Sequence, residues 1–407
     1  MALAALLSAV FGVMLEPMQN ELGWTRAQIS TGPLVVSIMG LFLAAPAGYL
    51  IDRWGSRTTG LIVIFCTFVA ILAMSRVGNH LWHWWAAWSV FGIAGAFTST
   101  VWMAPLSTAF SRARGMAIAL TIGGASISGA AAPIIAEYFV QNHGWRTAFV
   151  ALAMIFCGLA LPLVMAFVPG RQKPQNTATP TGADSEGEPP AQSELGGFTP
   201  REGFRSRNFY LLFFAAFIGG MTGLALTLNL VPVLTFTGIS RADAVKIAGL
   251  VGLTSLAGRL IGGWLMDNYD VRRLAVIASV CSAIFPTVLI VAPGVVWAAL
   301  TALIFNGVTG GLKMSAIVYL TSTHLGARSF GLFYGAISTA TTVAMGAGPL
   351  IANHVFDLTQ SYWPTIWLAV PGFLVSAGLY AALGPAPDFS HPVRSGRQAG
   401  PEQQVAD

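Results

Sequence analysis

Long apolar runs separated by short polar turns dominate the chain. Read in order, they place spans up to about Met18, then Ile29–Ile51, Gly60–Ser75, Trp84–Phe110, Gly115–Phe139 and a sixth ending near Val168. After a polar segment the pattern resumes at about 209–236, 245–266, 274–292, 296–322, 329–354 and 362–384. Runs of about 18 or more apolar residues are long enough to cross a bilayer. Helices satisfy their own backbone hydrogen bonds there. The pattern predicts an all-α integral membrane protein of about twelve transmembrane helices in two six-helix halves. The first run already starts at Met1 and reaches only about 27 Å at 1.5 Å per residue, so a native or ancestral start upstream is expected.

The polar segment 169–207 is rich in Pro, Thr, Ser, Gly and Glu and reads as a disordered cytoplasmic linker. It separates a half at 1–168 from a second at 208–387, and 388–407 reads as a flexible cytoplasmic tail. The two halves are related. Gly48-Tyr49-Leu50-Ile51-Asp52-Arg53-Trp54-Gly55-Ser56-Arg57 has a weaker copy at Gly263–Arg272, pairing Asp52 with Asp267 and Arg57 with Arg272, 215 residues apart. Ala132-Pro133 pairs with Gly348-Pro349 at 216, and Trp145 with Trp363 at 218. Parallel repeats of about six spans are one transporter design, with the cargo held between them near the bilayer midplane.

Composition sharpens this. Of 407 residues only 9% are charged and 55% are apolar, too few charges to cover a soluble protein of this size. The net charge of +5 is spread singly through short loops, unlike the basic patch of a nucleic-acid binder. With both termini inside, the inner loops, linker and tail hold 14 Lys and Arg and the outer loops 5, as the positive-inside rule expects. The expected location is the plasma (inner) membrane. Cys66, Cys157 and Cys281 lie far apart inside apolar runs and read as inert. His80 and His83, among Trp82, Trp84 and Trp85, read as an interfacial aromatic belt rather than a metal site. No cofactor motif is visible.

Two of the 21 basic residues fit no loop: Arg259 in span eight and Lys313 in span ten. Helical rise puts Arg259 about 12 Å and Lys313 about 16 Å from the inner face. An ionised side chain at that depth costs roughly 2.5–3.5 kcal/mol on insertion scales and persists where it faces a wet cavity or a counter-ion. Spans eight to eleven contain no deep acid, so the counter-charge can be the cargo. A guanidinium grips a carboxylate with two parallel hydrogen bonds, and an ammonium adds a point charge. Snorkelling or bonding to backbone carbonyls is the alternative for both. Trp102, Asn229, Asn306 and Tyr334 lie within spans as further candidate cavity residues or as ordinary packing. Glu16 and Glu137 sit toward outer ends and read as meeting interfacial water, which leaves no convincing buried carboxylate for a coupling proton.

The Gly48-x-Leu50-x-Asp52-Arg53-x-Gly55-x-Arg57 pattern resembles the signature loop of the major facilitator superfamily. Phe11-Gly12-Val13 leading to Glu21-Leu22-Gly23-Trp24-Thr25-Arg26 is similar to its monocarboxylate transporter and oxalate–formate antiporter branch, as are Gly258-Arg259 and Tyr319-Leu320 through Gly348-Pro349. The resemblance implies that Arg259 meets the substrate carboxylate. It also implies that Gly48, Asp52, Arg53, Gly55 and Arg57, with Asp267 and Arg272 in the copy, gate the inner side by bridging the halves. Three features depart from relatives: Ser255 stands where some have a carboxylate, Ile337 about where the oxalate exchanger has a lysine, and Lys313 and Ser315 where some bacterial relatives are acidic.

The expected activity is transport of a small organic anion, a monocarboxylate or similar, by alternating access. Its partners are the bilayer, the anion and either protons (symport) or a counter-anion (exchange), with no nucleic acid. Efflux of drugs or organic cations is the rival of the same fold, although cationic cargo favours buried acids. A nontransporting membrane receptor for an organic anion is the rival of another class. Without paired intramembrane carboxylates or a nucleophile–base motif, an enzyme is not expected.

Overall fold

The structure, a computed structural model, describes residues 2–54, 56–109, 114–167, 197–326 and 328–387. Within these ranges, the side chains at 44–54, 56, 99–100, 102–109, 114–123 and 167 are outside the description. Regular structure among the described residues is helical, apart from one antiparallel bridge between Gly197 and Gly326.

The N-terminal helices are α1 (Ala2–Leu22), α2 (Arg26–Trp54), α3 (Ser56–Ser75), α4 (Leu81–Ala109) and α5 (Arg114–Leu152), followed by a π-helical turn Ala153–Cys157 and α6 (Gly158–Phe167). The C-terminal helices are α7 (Pro200–Arg205), α8 (Arg207–Leu228), α9 (Leu230–Phe236), α10 (Arg241–Asn268), α11 (Val271–Ser282), α12 (Ile284–Val291), α13 (Val296–Leu325), α14 (Phe330–Thr359) and α15 (Trp363–Ala381). Among the described residues, ten helical stretches are long and apolar enough to cross a membrane. One of them, 124–166, turns at Gly144, whose φ of 83° is open mainly to glycine, and so makes two crossings. The 29-residue α4, which covers the expected span four, is not among these ten. α1, at 21 residues, extends about 31 Å, longer than its apolar run suggested.

Two expected spans are broken. Span seven divides at Asn229 and span nine at Ala283. Each break lies just before a proline, which makes it possible. Pro232 has no N–H for the Leu228 carbonyl, and Pro286 none for that of Ser282, so α8 and α11 end at those residues. The expected linker also needs revising at its end. Residues 168–196 lie outside the described residues, but from Gly197 the chain docks on the C-terminal helices. Thr199 caps α7, and the Glu202 carboxylate accepts from the Thr199 N–H (2.9 Å) and hydroxyl (2.7 Å), a reciprocal capping box. Those two bonds hold the Glu202 carboxyl below its ordinary pKa. Phe204 packs edge-on against Phe209 and Phe333, with ring centroids 4.9 and 5.5 Å away.

α2 packs against α4 and α14, α1 against α5, and α10 against both α5 and α13. One buried core runs continuously from the N-terminal helices (Leu6, Val13, Met18, Ile71, Trp84, Phe149) to the C-terminal ones (Leu228, Leu234, Ile247, Phe356, Tyr362). It lies toward the end that carries the turns at 23–25, 143–144, 237–240 and 360–362, the end that the charge distribution predicts to be outer. A second core (Phe209, Leu212, Ala275, Leu320, Phe333, Ile337) belongs to the C-terminal helices alone.

Candidate functional site

α10 positions the most unusual side chain. Ser240 caps its start, accepting from the Asp243 N–H. Along one face it then presents Ala248, Gly252, Ser255 and Arg259, spaced by helical turns of three and four residues. The small members allow close approach. A Cβ on Gly252 would lie 2.3 Å from the Ser126 carbonyl of α5, and one on Gly258 2.1 Å from the Val308 carbonyl of α13. Only glycine fits such contacts.

Where this face meets α1, α5, α8 and α9, a cavity of about 280 Å³ remains. It lies between N-terminal and C-terminal helices. Its hydroxyls are Ser8, Ser126, Thr227 and Ser255, its sole charged lining residue is Arg259, and the rest of its wall is small or aliphatic. Arg259 forms no ion pair among the described residues, and its Nη1 is buried without a hydrogen-bond partner. The buried Nη1 is inconsistent with snorkelling. An orphaned N–H on a permanent cation is costly, and a ligand carboxylate supplies both the acceptor and the opposite charge.

Lys313 is elsewhere. Its Nζ donates to Ser282 Oγ of α11 (2.7 Å), which is paired with Thr309 Oγ1 (2.9 Å), and it lies 4.8 Å from the centroid of Phe373 of α15. It does not line the cavity of Arg259. Asn229 is fully buried at the α8–α9 break. Its Nδ2 donates to the Ala225 carbonyl and its Oδ1 accepts from Asn353 Nδ2. Its neighbours Leu228 and Leu230 line the cavity, but Asn229 does not. Asn306 is half-buried, outside the cavity lining, and its carbonyl accepts from Thr309. Tyr334 stacks on Phe330 at 5.5 Å, also away from the cavity. The side chain of Trp102 lies outside the described residues.

Of the gating candidates, Gly55 and the side chains of Asp52 and Arg53 lie outside the described residues, and Gly48 falls within α2. Arg57 donates to the Met165 carbonyl (3.0 Å) and Arg272 to that of Leu383 (2.6 Å), while Asp267 is exposed near the end of α10. Sequence reasoning missed the four cavity hydroxyls, since lone Ser and Thr in spans carry no signal. It also misplaced Glu137, which is 6% exposed. The Glu137 carboxylate accepts from Arg241 Nε (2.6 Å) and Gln141 Nε2 (2.8 Å), and its Oε2 is unpaired.

Known proteins resemble this chain along most of its length. It is 24% identical over 402 residues to the oxalate:formate antiporter of Oxalobacter formigenes, covering 96% of this chain and 90% of the relative. It is 24% identical to the gallate transporter of Pseudomonas putida over 66% of this chain and 64% of the relative. It is 22% identical to the nitrite extrusion protein of Bacillus subtilis over 83% and 80%. Among solved structures, a bacterial homolog of the human lysosomal transporter Spinster superposes with a TM-score of 0.66 at 14% identity, over 95% of this chain and 96% of that one. It shares the fold. The family profile of the Major Facilitator Superfamily matches residues 1–349 and 237–404, and with it the chain belongs to that superfamily, as an integral membrane secondary transporter and not an enzyme.

Proposed function

We propose that this transporter moves a small organic anion, a monocarboxylate or similar carboxylate, by alternating access. The observation that carries the reading is Arg259, the sole charged residue lining a cavity between the two sets of helices, whose buried Nη1 has no hydrogen-bond partner. The names of the three relatives specify oxalate and formate, gallate, and nitrite, all small anions. A cavity of about 280 Å³ sits at the small end of ligand sites (~300–1,000 Å³). With Lys313 engaged elsewhere, it offers one cation, which suits a single carboxylate better than two. Ser8, Ser126, Thr227 and Ser255 supply hydrogen bonds for the second oxygen or for hydroxyl substituents. Cationic cargo would place like charges together without an acid to relieve them.

In this reading the protein sits in the plasma (inner) membrane with both termini cytoplasmic, and the Asp52–Arg57 and Asp267–Arg272 loops gate the inner side. Coupling is either proton symport or exchange for another anion. The test is uptake of labelled mono-, di- and aromatic carboxylates into proteoliposomes, with and without a pH gradient or internal anion. Saturable uptake of one carboxylate class, abolished in Arg259→Gln, is the expected result. Uptake of an organic cation, equal in both proteins, refutes the reading.

A further inference from the structure

The outer end repeats itself. α2 and α10 start with related sequences, Gly23-Trp24-Thr25-Arg26-Ala27 and Gly238-Ile239-Ser240-Arg241-Ala242, offset by 215 residues. Both glycines take positive φ, 68° and 100°. Both hydroxyls cap their helix, Thr25 accepting from the Gln28 N–H and Ser240 from that of Asp243, each at 3.2 Å. The helices that receive them repeat as well. Glu137 and Gln141 of α5 correspond to Asn353 and Asp357 of α14, offset by 216.

Each start crosses between the N-terminal and C-terminal helices. Arg26 begins α2, and its Nη1 donates to the Tyr362 hydroxyl (2.9 Å), which donates in turn to Asn353 Oδ1 (2.8 Å). Its guanidinium lies 3.9 Å from the centroid of Phe356. The Asp357 carboxylate accepts from the backbone N–H of Arg26 (3.0 Å) and Ala27 (2.7 Å), where a helix N-terminus favours a negative charge. Asn353 Nδ2 donates to Ser30 (2.7 Å) and Asn229 (2.8 Å). Arg241 begins α10 and crosses the other way. Its Nε donates to Glu137 of α5, its Nη1 to Glu16 of α1 (2.6 Å each) and its Nη2 to the Val13 carbonyl (2.9 Å). The α1 partners match too, since Arg26 Nε donates to Gln19, three residues from Glu16 and so on the same face of α1.

We propose that these two repeat-related arginine clusters are latches that hold the outer end shut, and that opening the cavity to that side requires both to release. Among the described residues, the side-chain hydrogen bonds between N-terminal and C-terminal helices are those of the two clusters. The Arg241 cluster is not optimised as a permanent brace. Two carboxylates share the Arg241 guanidinium, and one buried oxygen of Glu137 is unpaired, a penalty that hydration on opening removes. The latches differ in kind. The Arg26 latch is mostly neutral and aromatic around its one carboxylate, whereas the Arg241 latch is an ion cluster with Glu16 half-exposed, and so the more sensitive to salt. The inference rests on the alternating-access reading but not on which solute is carried.

The test measures outer access in ligand-free, full-length protein. Cys66, Cys157 and Cys281 are replaced, Ser8→Cys places a reporter in the cavity wall, and an impermeant maleimide is added on the side of the 23–25 turn. Glu137→Gln and Asp357→Asn are each expected to speed labelling on the order of tenfold, and the pair more than either. Exchanging the charges, Arg241→Glu with Glu137→Arg, is expected to restore slow labelling, which a merely unfolded protein would not do. High salt should speed labelling in Asp357→Asn, where the Arg241 ion cluster is the intact latch, more than in Glu137→Gln. Wild-type labelling rates in both single variants overturn the proposal, as does faster labelling accompanied by loss of a cooperative melt. Failure of the anion reading shows itself separately, as absence of carboxylate uptake, and leaves these labelling outcomes unchanged.

Discussion

Arg259 and Lys313 are both cations inside apolar helices of the C-terminal set, yet the structure uses them differently. The Arg259 side chain emerges from α10 into a cavity between the two sets of helices and leaves Nη1 unpaired. The Lys313 side chain emerges from α13 toward α11 and α15, where Ser282 and the ring of Phe373 receive it. The face of the helix decides. A Cβ on Gly311 would lie 2.3 Å from the Ser255 carbonyl and one on Gly307 1.9 Å from Thr254 Oγ1, so these residues, one turn apart, mark the side of α13 that meets α10. Two residues after Gly311, at about 100° each, Lys313 lies on the opposite side. Depth alone therefore does not decide whether a charged residue faces the cavity. The partner it leaves unsatisfied is the better indicator.

Breaking the contrast at Arg259 should give the largest effect. Arg259→Gln removes the charge and is expected to lower anion affinity by about thirtyfold or more, the ~2–5 kcal/mol expected when one partner of a buried charge pair is lost. Uptake kinetics at several substrate concentrations read this directly. Supplying an internal counter-ion should come next. Ser255→Asp, four residues before Arg259 on the same face, is expected to satisfy Nη1 and reduce anion affinity about tenfold while keeping or raising the melting temperature. A variant that binds the anion normally would show that Arg259 does not need to be free.

Lys313→Met should have a smaller effect. Replacing a partly buried, imperfectly paired charge by an apolar side chain of similar length is often neutral or stabilising, so uptake is expected within about threefold of wild type. A loss as large as that of Arg259→Gln would return Lys313 to the site. The smallest effect concerns a carboxylate in water. The Glu202 carboxyl is held below its ordinary pKa by Thr199, so its contribution to docking α7 is complete above the unfolded glutamate value, about 4.3, and is lost as pH falls through the lower folded value. Proteolysis or hydrogen exchange at 197–206 should increase only in strong acid, and Thr199→Ala should weaken the dependence.

Much of this was legible in the sequence. The apolar runs located the crossings, and the 215-residue repeat paired loops whose helices correspond. Arg259 was visible because a charge in an apolar run has few explanations. The destination of Lys313 was not, because it depends on which helices flank α13, and no local pattern encodes that. The breaks at Asn229 and Ala283 were readable in principle from Pro232 and Pro286, but proline also sits within unbroken α14 at Pro349, so tertiary packing decides which prolines interrupt. Glu137 read as interfacial from its position along α5. Only the meeting of α1, α5 and α10 shows that it is buried on Arg241.

The most direct test of the central claim is ligand-induced stabilisation of the purified protein in detergent, measured for wild type and Arg259→Gln across mono- and dicarboxylates, aromatic acids, sugars and organic cations. A ligand at a hundredfold above its Kd adds about 2.7 kcal/mol to the folded state, which is readable as a melting shift. The account predicts that one class of carboxylate raises the wild-type melting temperature and leaves Arg259→Gln unmoved. An equal shift in both proteins, or a shift produced only by cations or neutral solutes, would contradict it.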